Sequence, residues 1–323
     1  VYKWSSRDTI KSLVVPVEWI CQGYVEILKF FEDVAHGIDP DDTAYAGIQR
    51  LRYNTPMYNC RIRKTIDLMG FCDNSFEFPC VINNLGKFVL LDGHHRLAAL
   101  IYNGYTEVKV AVKYMPQLFS DVVEFLREFY SNSDTLYVPI EHPFFSDWRI
   151  LREDRWPVME PIIQEFSPIT KYAIDLGCYT GWISRNLSRL SYDVLGIDND
   201  ADIIRIAEYI SVITGDPVFY SVGDVRRVVK SYIEETPGFD IAVCLSVLHH
   251  YLNKGDFVVF SDALRDVSKI SRLLFFDMDF HLNYPVGLPF DGVEQFLDWF
   301  FDLAGRKANV LGEHDSRTLF VCY

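Results

Sequence analysis

Short apolar runs alternate with amphipathic stretches through the second half of the chain, a spacing that predicts a parallel sheet laced with helices. The runs at 172–176, 192–197, 217–222, 239–245 and 272–277 read as strands, and 182–190, 255–269 and 292–303 read as helices. Two closing runs, 307–311 and 318–323, read as a hairpin joined through 312–317, which brings the strand count to seven. The first half has another rhythm: strands at 88–91 and 108–112, and helices at 63–69, 95–102 and 118–130. Residues 131–143 read as a boundary and 148–165 as a helical lead-in to the second half. At 323 residues the chain has room for two domains, expected at 1–135 and 136–323. The fold class expected is α/β throughout the second domain and α+β in the first.

Candidate chemistry gathers at the turn after 172–176, in the stretch KYAIDLGCYTGWISRNLSRLSYDVLGIDND. Gly177 and Gly181 let the backbone turn sharply and leave room for a ligand. Asp198 follows the next strand at its carboxyl end, where an acid can accept both hydroxyls of a ribose. A dinucleotide fingerprint would read G-x-G-x-x-G; Asp175-x-Gly177-x-x-x-Gly181 lacks that pyrophosphate signature, which favours S-adenosylmethionine.

DLGCYTG resembles the first motif of the class I methyltransferases, and the resemblance runs from about Asp147 to Tyr323. It implies a Rossmann-like seven-stranded sheet with Asp175, Gly177, Tyr179 and Gly181 around the methionine moiety of the donor. It also implies Asp198 and Asn199 at the ribose, Asp224 and the Val225 amide at the adenine, and Leu245 on the inner strand beside the reacting methyl. That family often has a small residue where this chain has Tyr179. A hydroxyl acceptor must lose a proton, and His249, His250 and His281 are the candidate bases.

The first half carries LLDGHHRLAALIYNGYTEVKVAV, in which a polar cluster opens a helix. Unpaired amides and a positive dipole there suit phosphate, with Arg96 able to chelate it and Asp92 able to hold magnesium. Asp92, Gly93, His94, His95 and Arg96 resemble the helix start of the ParB and sulfiredoxin superfamily, in the DGHHR form of its free serine kinases, over about Ser12 to Tyr114. The resemblance implies a nucleotide such as ATP or ADP with magnesium, and a glutamate base in the region of Glu18 and Glu26. A domain of this shape retained for docking or assembly is the alternative. Arg50, Arg52, Arg61, Arg63 and Lys64 form the densest basic cluster, able to clamp a phosphorylated substrate or simply to face solvent. Arg149, Arg152, Arg155 and Trp156 could cap the cofactor pocket.

Composition narrows the partners. The chain is 49% apolar, carries a formal charge of −14 and has a pI near 5.0, which argues against a broad duplex-binding face and for small or uncharged substrates; a small-molecule or glycan acceptor is expected. A nucleic-acid modifier is the third reading. No run of about twenty apolar residues predicts a membrane span. Seven cysteines without a C-x-x-C pair point to reduced, cytoplasmic thiols. Oligomeric state has no signature in the sequence.

Overall fold

Pairing of residues 77–82 with 107–114, far apart in sequence, organises the first half. In the computed structural model, residues 11–323 are described apart from 18–19, 22–24, 44, 47–48, 50–61, 74–76, 83–87, 91–92, 217, 234–237 and 283. The chain divides into two compact units, Val1–Val123 and Glu124–Tyr323, so residues 124–135, grouped with the first domain on sequence grounds, fall in the second unit. The first unit holds β1 (Lys11–Pro16), β2 (Ile20–Cys21), β3 (Glu77–Ile82), β4 (Phe88–Leu90) and β5 (Glu107–Tyr114) in the order β1-β5-β3-β4-β2. β3 runs parallel to β5 and antiparallel to β4. Helices α1 (Val25–Ala35) and α2 (His94–Tyr102) contribute to its core. Leu97 and Leu100 of α2 pack on Phe78, Val108 and Val110 of the sheet, while Ala98 and Ala99 meet Ile27, Phe30 and Phe31 of α1. The small alanines let the two helices approach closely. α3 (Met115–Phe129) follows β5 directly.

In the second unit a two-stranded pair comes first, β6 (Thr135–Leu136) beside β7 (Arg149–Ile150). The expected helical lead-in is therefore a strand followed by α4 (Trp156–Glu165). Pro157 favours the helix start, where a residue without an N–H costs nothing, and the helix continues through a second proline, Pro161. Asp154 Oδ1 accepts the Trp156 N–H at 2.9 Å.

The main sheet is built from β8 (Tyr172–Leu176), β9 (Asp193–Asp198), β10 (Phe219–Val222), β11 (Phe239–Cys244), β12 (Ser271–Met278), β13 (Ala308–His314) and β14 (Arg317–Cys322). Their order is β10-β9-β8-β11-β12-β14-β13, parallel through β12, with β14 antiparallel to both its neighbours. α5 (Trp182–Arg189), α6 (Ala201–Thr214), α7 (Val225–Ile233), α8 (His249–Asn253), α9 (Phe257–Lys269) and α10 (Val293–Ala304) lie between the strands in sequence. Alternate side chains feed two cores, as a sheet covered on both faces requires. Ile174, Ala242 and Phe276 meet Val229 of α7, Leu264 of α9 and Phe296 of α10, whereas Ala173, Val243 and Phe275 meet Met159 of α4 and Leu187 of α5. Each such Leu or Phe is worth about 1.5–3 kcal/mol of burial. The hairpin turns at Asp315 and Ser316, with φ of 51° and 62°, while Gly312 lies within β13 at a bulge rather than in the connection. No helix among the described residues is long and apolar enough to cross a membrane.

Asp240, on β11 and 1% exposed, ties the entry to β8 onto the sheet. Its carboxylate accepts N–H groups from Ile169 at 2.9 Å, Thr170 at 2.6 Å and Lys171 at 2.6 Å, and pairs with Arg272 at 3.0 Å. Burial pushes this carboxyl up, but the N–H groups of Ile169 and Thr170 and the Arg272 guanidinium outweigh it, leaving it below the ordinary value. Asp240→Ala should cost about 2–4 kcal/mol in urea unfolding at neutral pH, because three donors lose their acceptor. The depressed value sets the sign: the contribution is full above about pH 3.9 and fades as pH falls through the lower folded value, so the two proteins converge in acid. An unchanged unfolding midpoint at pH 7 would contradict this role.

Candidate active site

The parallel strands of the second unit end on one side of the sheet, and the loops leaving them surround a cavity of about 650 Å³. Asp175, Gly177, Tyr179, Asp198 and Asn199 line it from the ends of β8 and β9. Asp224, Val225 and Leu245 line it from beyond β10 and β11. These eight sequence-nominated residues therefore share one wall, whereas Gly181 caps α5 behind it with φ 80°.

The glycine turn is built differently from the expectation. Gly177 has φ 77°, and a Cβ there would stand 2.2 Å from Val247 Cγ2; at Gly181, φ 80°, it would stand 2.0 Å from the Tyr220 hydroxyl. A neighbouring side chain thus takes the place a Cβ would occupy at each glycine, while Gly177 also lines the cavity. Gly177 and Cys178 N–H groups both donate to the Ile197 carbonyl, at 2.7 and 2.9 Å, which locks the turn against β9.

Asp198 receives the Tyr179 N–H on Oδ2 and the Asp200 N–H on Oδ1, each at 3.1 Å. A carboxylate offers about four acceptor positions, so both oxygens retain capacity for a further hydroxyl. Asp175 is buried and accepts the Ser184 hydroxyl at 2.6 Å; burial pushes its carboxyl up to about 6. A cation bound nearby would pull it down again. Asp224 accepts the Arg227 N–H at 3.1 Å in the first turn of α7.

Tyr179 adopts φ 49°, a left-handed backbone that costs a non-glycine residue about 1–2 kcal/mol. Its hydroxyl bonds that of Tyr130, and the Tyr137 ring lies 5.1 Å away. Burial raises the Tyr179 phenol far beyond its ordinary value, so it stays neutral. Tyr130 closes the stretch that reads as the helix 118–130 and Tyr137 falls in the stretch that reads as a boundary, and neither reading flags a site residue.

Of the three candidate histidines, His250 lines the cavity. His249, its neighbour on α8, is 8% exposed and faces Arg317, whose Nη2 lies 3.2 Å from its Nε2. Burial and then Arg317 push His249 down to about 3, so its imidazole is uncharged at neutral pH. His281 points away into solvent, 69% exposed, beside Glu313. Burial, Arg317 and Lys254 also lower His250. Arg152 and Arg155 line the cavity as the sequence suggests; Trp156 packs in the core and Arg149 lies on exposed β7.

In the first unit, Asp92, Glu18, Arg50, Arg52 and Arg61 lie outside the described residues, and Glu26 sits on α1. Gly93, φ 88°, caps α2, and His94, His95 and Arg96 form its first turn. His95 Nε2 meets the Tyr45 hydroxyl at 2.5 Å. Arg63 and Lys64 are exposed. Among the described residues no cluster of three or more His, Cys, Asp or Glu is placed to hold a metal.

Comparison with known proteins bears on the second unit. Residues 174–274 match a family described as a methyltransferase domain. A ubiquinone biosynthesis O-methyltransferase of Photorhabdus laumondii is 33% identical over 81 residues, which is 25% of this chain and 32% of that protein. Its counterpart in Proteus mirabilis is 25% identical over 162 residues, 45% of this chain and 64% of the relative. The chain thus spans between a third and just under two thirds of the length of these curated relatives. Among solved structures, the bifunctional kinase-methyltransferase WbdD aligns with 61% of this chain and 45% of its own at 18% identity, with a TM-score of 0.45. Sequence match and strand order agree: within the C-terminal half, residues 174–274 match a methyltransferase domain, and the sheet that holds them is seven-stranded, mostly parallel and Rossmann-like.

Proposed function

We propose that the second unit transfers a methyl group from S-adenosylmethionine to an oxygen of a small organic molecule or glycan end. The observation that carries this reading is the row of carboxylates Asp224, Asp198 and Asp175 along one cavity, at successive strand ends of a methyltransferase domain. The residues fit the donor: Asp198 has acceptor capacity for two ribose hydroxyls, and Asp224 with the Val225 amide can grip an adenine. The relatives in Photorhabdus and Proteus, both named as O-methyltransferases, support an oxygen acceptor.

The donor supplies a methyl group made electrophilic by its sulfonium, so the chain's own part is position and a base. Holding the acceptor oxygen in line at about 3 Å can be worth roughly 7 kcal/mol or more. His250 is the base we favour, since it lines the cavity and its lowered pKa leaves an imidazole nitrogen free to take the hydroxyl proton at neutral pH. His249, already neutral against Arg317, backs its ring at 4.1 Å between centroids.

The first unit is proposed to hold a nucleotide phosphate at Gly93, His94, His95 and Arg96, where the amides of a nine-residue helix begin. Phosphorylation of a hydroxyl of the same acceptor is the activity this would serve, with a docking role as the competing reading.

Calorimetry tests the donor site: S-adenosylhomocysteine should bind the wild type, and Asp198→Ala should weaken it at least tenfold, the loss of charge-assisted hydrogen bonds worth about 1.5–3 kcal/mol. Equal affinity in both proteins would remove Asp198 from the ribose. For the first unit, ATP or ADP with magnesium should raise the melting temperature even with S-adenosylmethionine saturating, because a second ligand of the folded state adds its own stabilisation. Arg96→Ala should abolish the nucleotide shift alone. No shift with ATP, ADP, CTP or GTP, in a chain that binds the methyl donor, would contradict the nucleotide site.

A further inference from the structure

Two buried arginines share one carboxylate where β11 and β12 end. Asp277 Oδ2 lies 3.3 Å from Arg155 Nη2 and 3.9 Å from Arg317 Nη1. Arg155, Arg317 and Asp277 are 9%, 8% and 4% exposed, so all three charges are withdrawn from water. Asp277 also accepts the Ser246 N–H at 2.8 Å, and Arg155 Nη1 donates to the Ser246 hydroxyl at 3.3 Å. Among the described residues no second carboxylate pairs with either guanidinium. Asp279 accepts the N–H groups of His281 and Leu282, Asp154 accepts the Trp182 indole N–H, and Glu153 faces His314. His249, held neutral against Arg317, adds no negative charge. The triad is left with one net positive charge in a place where an unbalanced charge is costly.

A separate observation marks Arg155 within the triad. It lines the cavity, yet its Nε is buried without a hydrogen-bond partner. A buried guanidinium donor lacking an acceptor is expensive, so the protein leaves this group incompletely satisfied, and an anionic oxygen on the part of Arg155 that lines the cavity would offset the surplus charge.

Position separates this anion site from the adenosine. Asp224, Asp198 and Asp175 belong to the ends of β10, β9 and β8, whereas the Arg155 head meets the ends of β11 and β12, one to two strand spacings further on, about 5–10 Å. His250 and Lys254 line the cavity from the helix that follows β11. Arg155, His250 and Lys254 thus bring basic groups to the part of the cavity beyond β11.

We propose that Arg155 binds an anionic oxygen group of the methyl acceptor, a carboxylate or a phosphate ester, at the β11–β12 end of the cavity. The proposal rests on the methyl-transfer reading above and narrows its substrate to acceptors with an anionic group a few ångströms from the hydroxyl that meets His250. Arg317 is a supporting residue: by sharing Asp277 it leaves Arg155 incompletely neutralised and able to take a ligand.

The test titrates inorganic phosphate and acetate into the full chain saturated with S-adenosylhomocysteine, by calorimetry, in wild type, Arg155→Gln and Arg155→Lys. Saturable binding of one anion to the wild type is expected, weakened at least tenfold in Arg155→Gln, with S-adenosylhomocysteine affinity unchanged. Arg155→Lys keeps a charge on Asp277 but loses the planar fork; it should lie between, and it carries the test should the glutamine variant not fold. No phosphate or acetate binding by the saturated wild type would overturn the proposal. So would an Arg155→Gln variant that loses S-adenosylhomocysteine affinity but binds 5′-methylthioadenosine normally, because the anion would then be the donor's own carboxylate. Failure of the methyl-transfer reading has a different signature, a wild type that binds no S-adenosylhomocysteine, and it removes the acceptor assignment as well.

Discussion

The reversal of strand order between β8 and β11 is the constraint on which the second unit depends. β9 and β10 extend the sheet to one side of β8, and β11 and β12 extend it to the other. Right-handed crossovers then force helices onto opposite faces on the two sides, which is why Leu187 of α5 packs with one core while Val229 of α7 and Leu264 of α9 pack with the other. Loops leaving β8 and β11 are drawn apart, and a crevice opens at their carboxyl ends. Asp240 secures the hinge of this arrangement by holding the backbone that enters β8 against β11.

Charged side chains of both signs line that crevice. Acids stand at the ends of β8, β9 and β10, and the arginines gather about β11 and β12. Asp175, pushed up to about 6 by burial, is poised to respond to a cation beside the glycine turn, while His250 is kept free of its proton by burial and by Arg317 and Lys254. The two ends therefore suit different ligands: a sulfonium donor towards the acids, and an acceptor that gives up a proton towards the bases.

Much of the sheet was legible because strands buried on both faces need continuous apolar runs, and glycine marks the tight turn between β8 and α5. The nominated acids follow from the same logic, since each sits at a strand's carboxyl end. Other features had no local signal. Tyr130 reaches the cavity from the end of an amphipathic helix and Tyr137 from a stretch without periodicity, and β7 interrupts what reads as a helix until Pro157 is given its due at the helix start. Neighbouring histidines on one helix point about 100° apart, so His249 and His250 could be told apart only once the phase of α8 was known. Asp277 looks like any strand-end residue until Arg155 and Arg317, from 122 and 40 positions away, converge on it. At the glycine turn, the packing of Val247 and Tyr220 against Gly177 and Gly181 had no local signal in the sequence.

The most direct measurement of the central claim is a crystal structure of the chain with S-adenosylhomocysteine. The account predicts the ribose hydroxyls on Asp198, the adenine beside Asp224 and the Val225 amide, and the thioether sulfur directed towards the end of β11 where His250 stands. A ligand bound in the reverse sense along the crevice, or outside the cavity altogether, would contradict it.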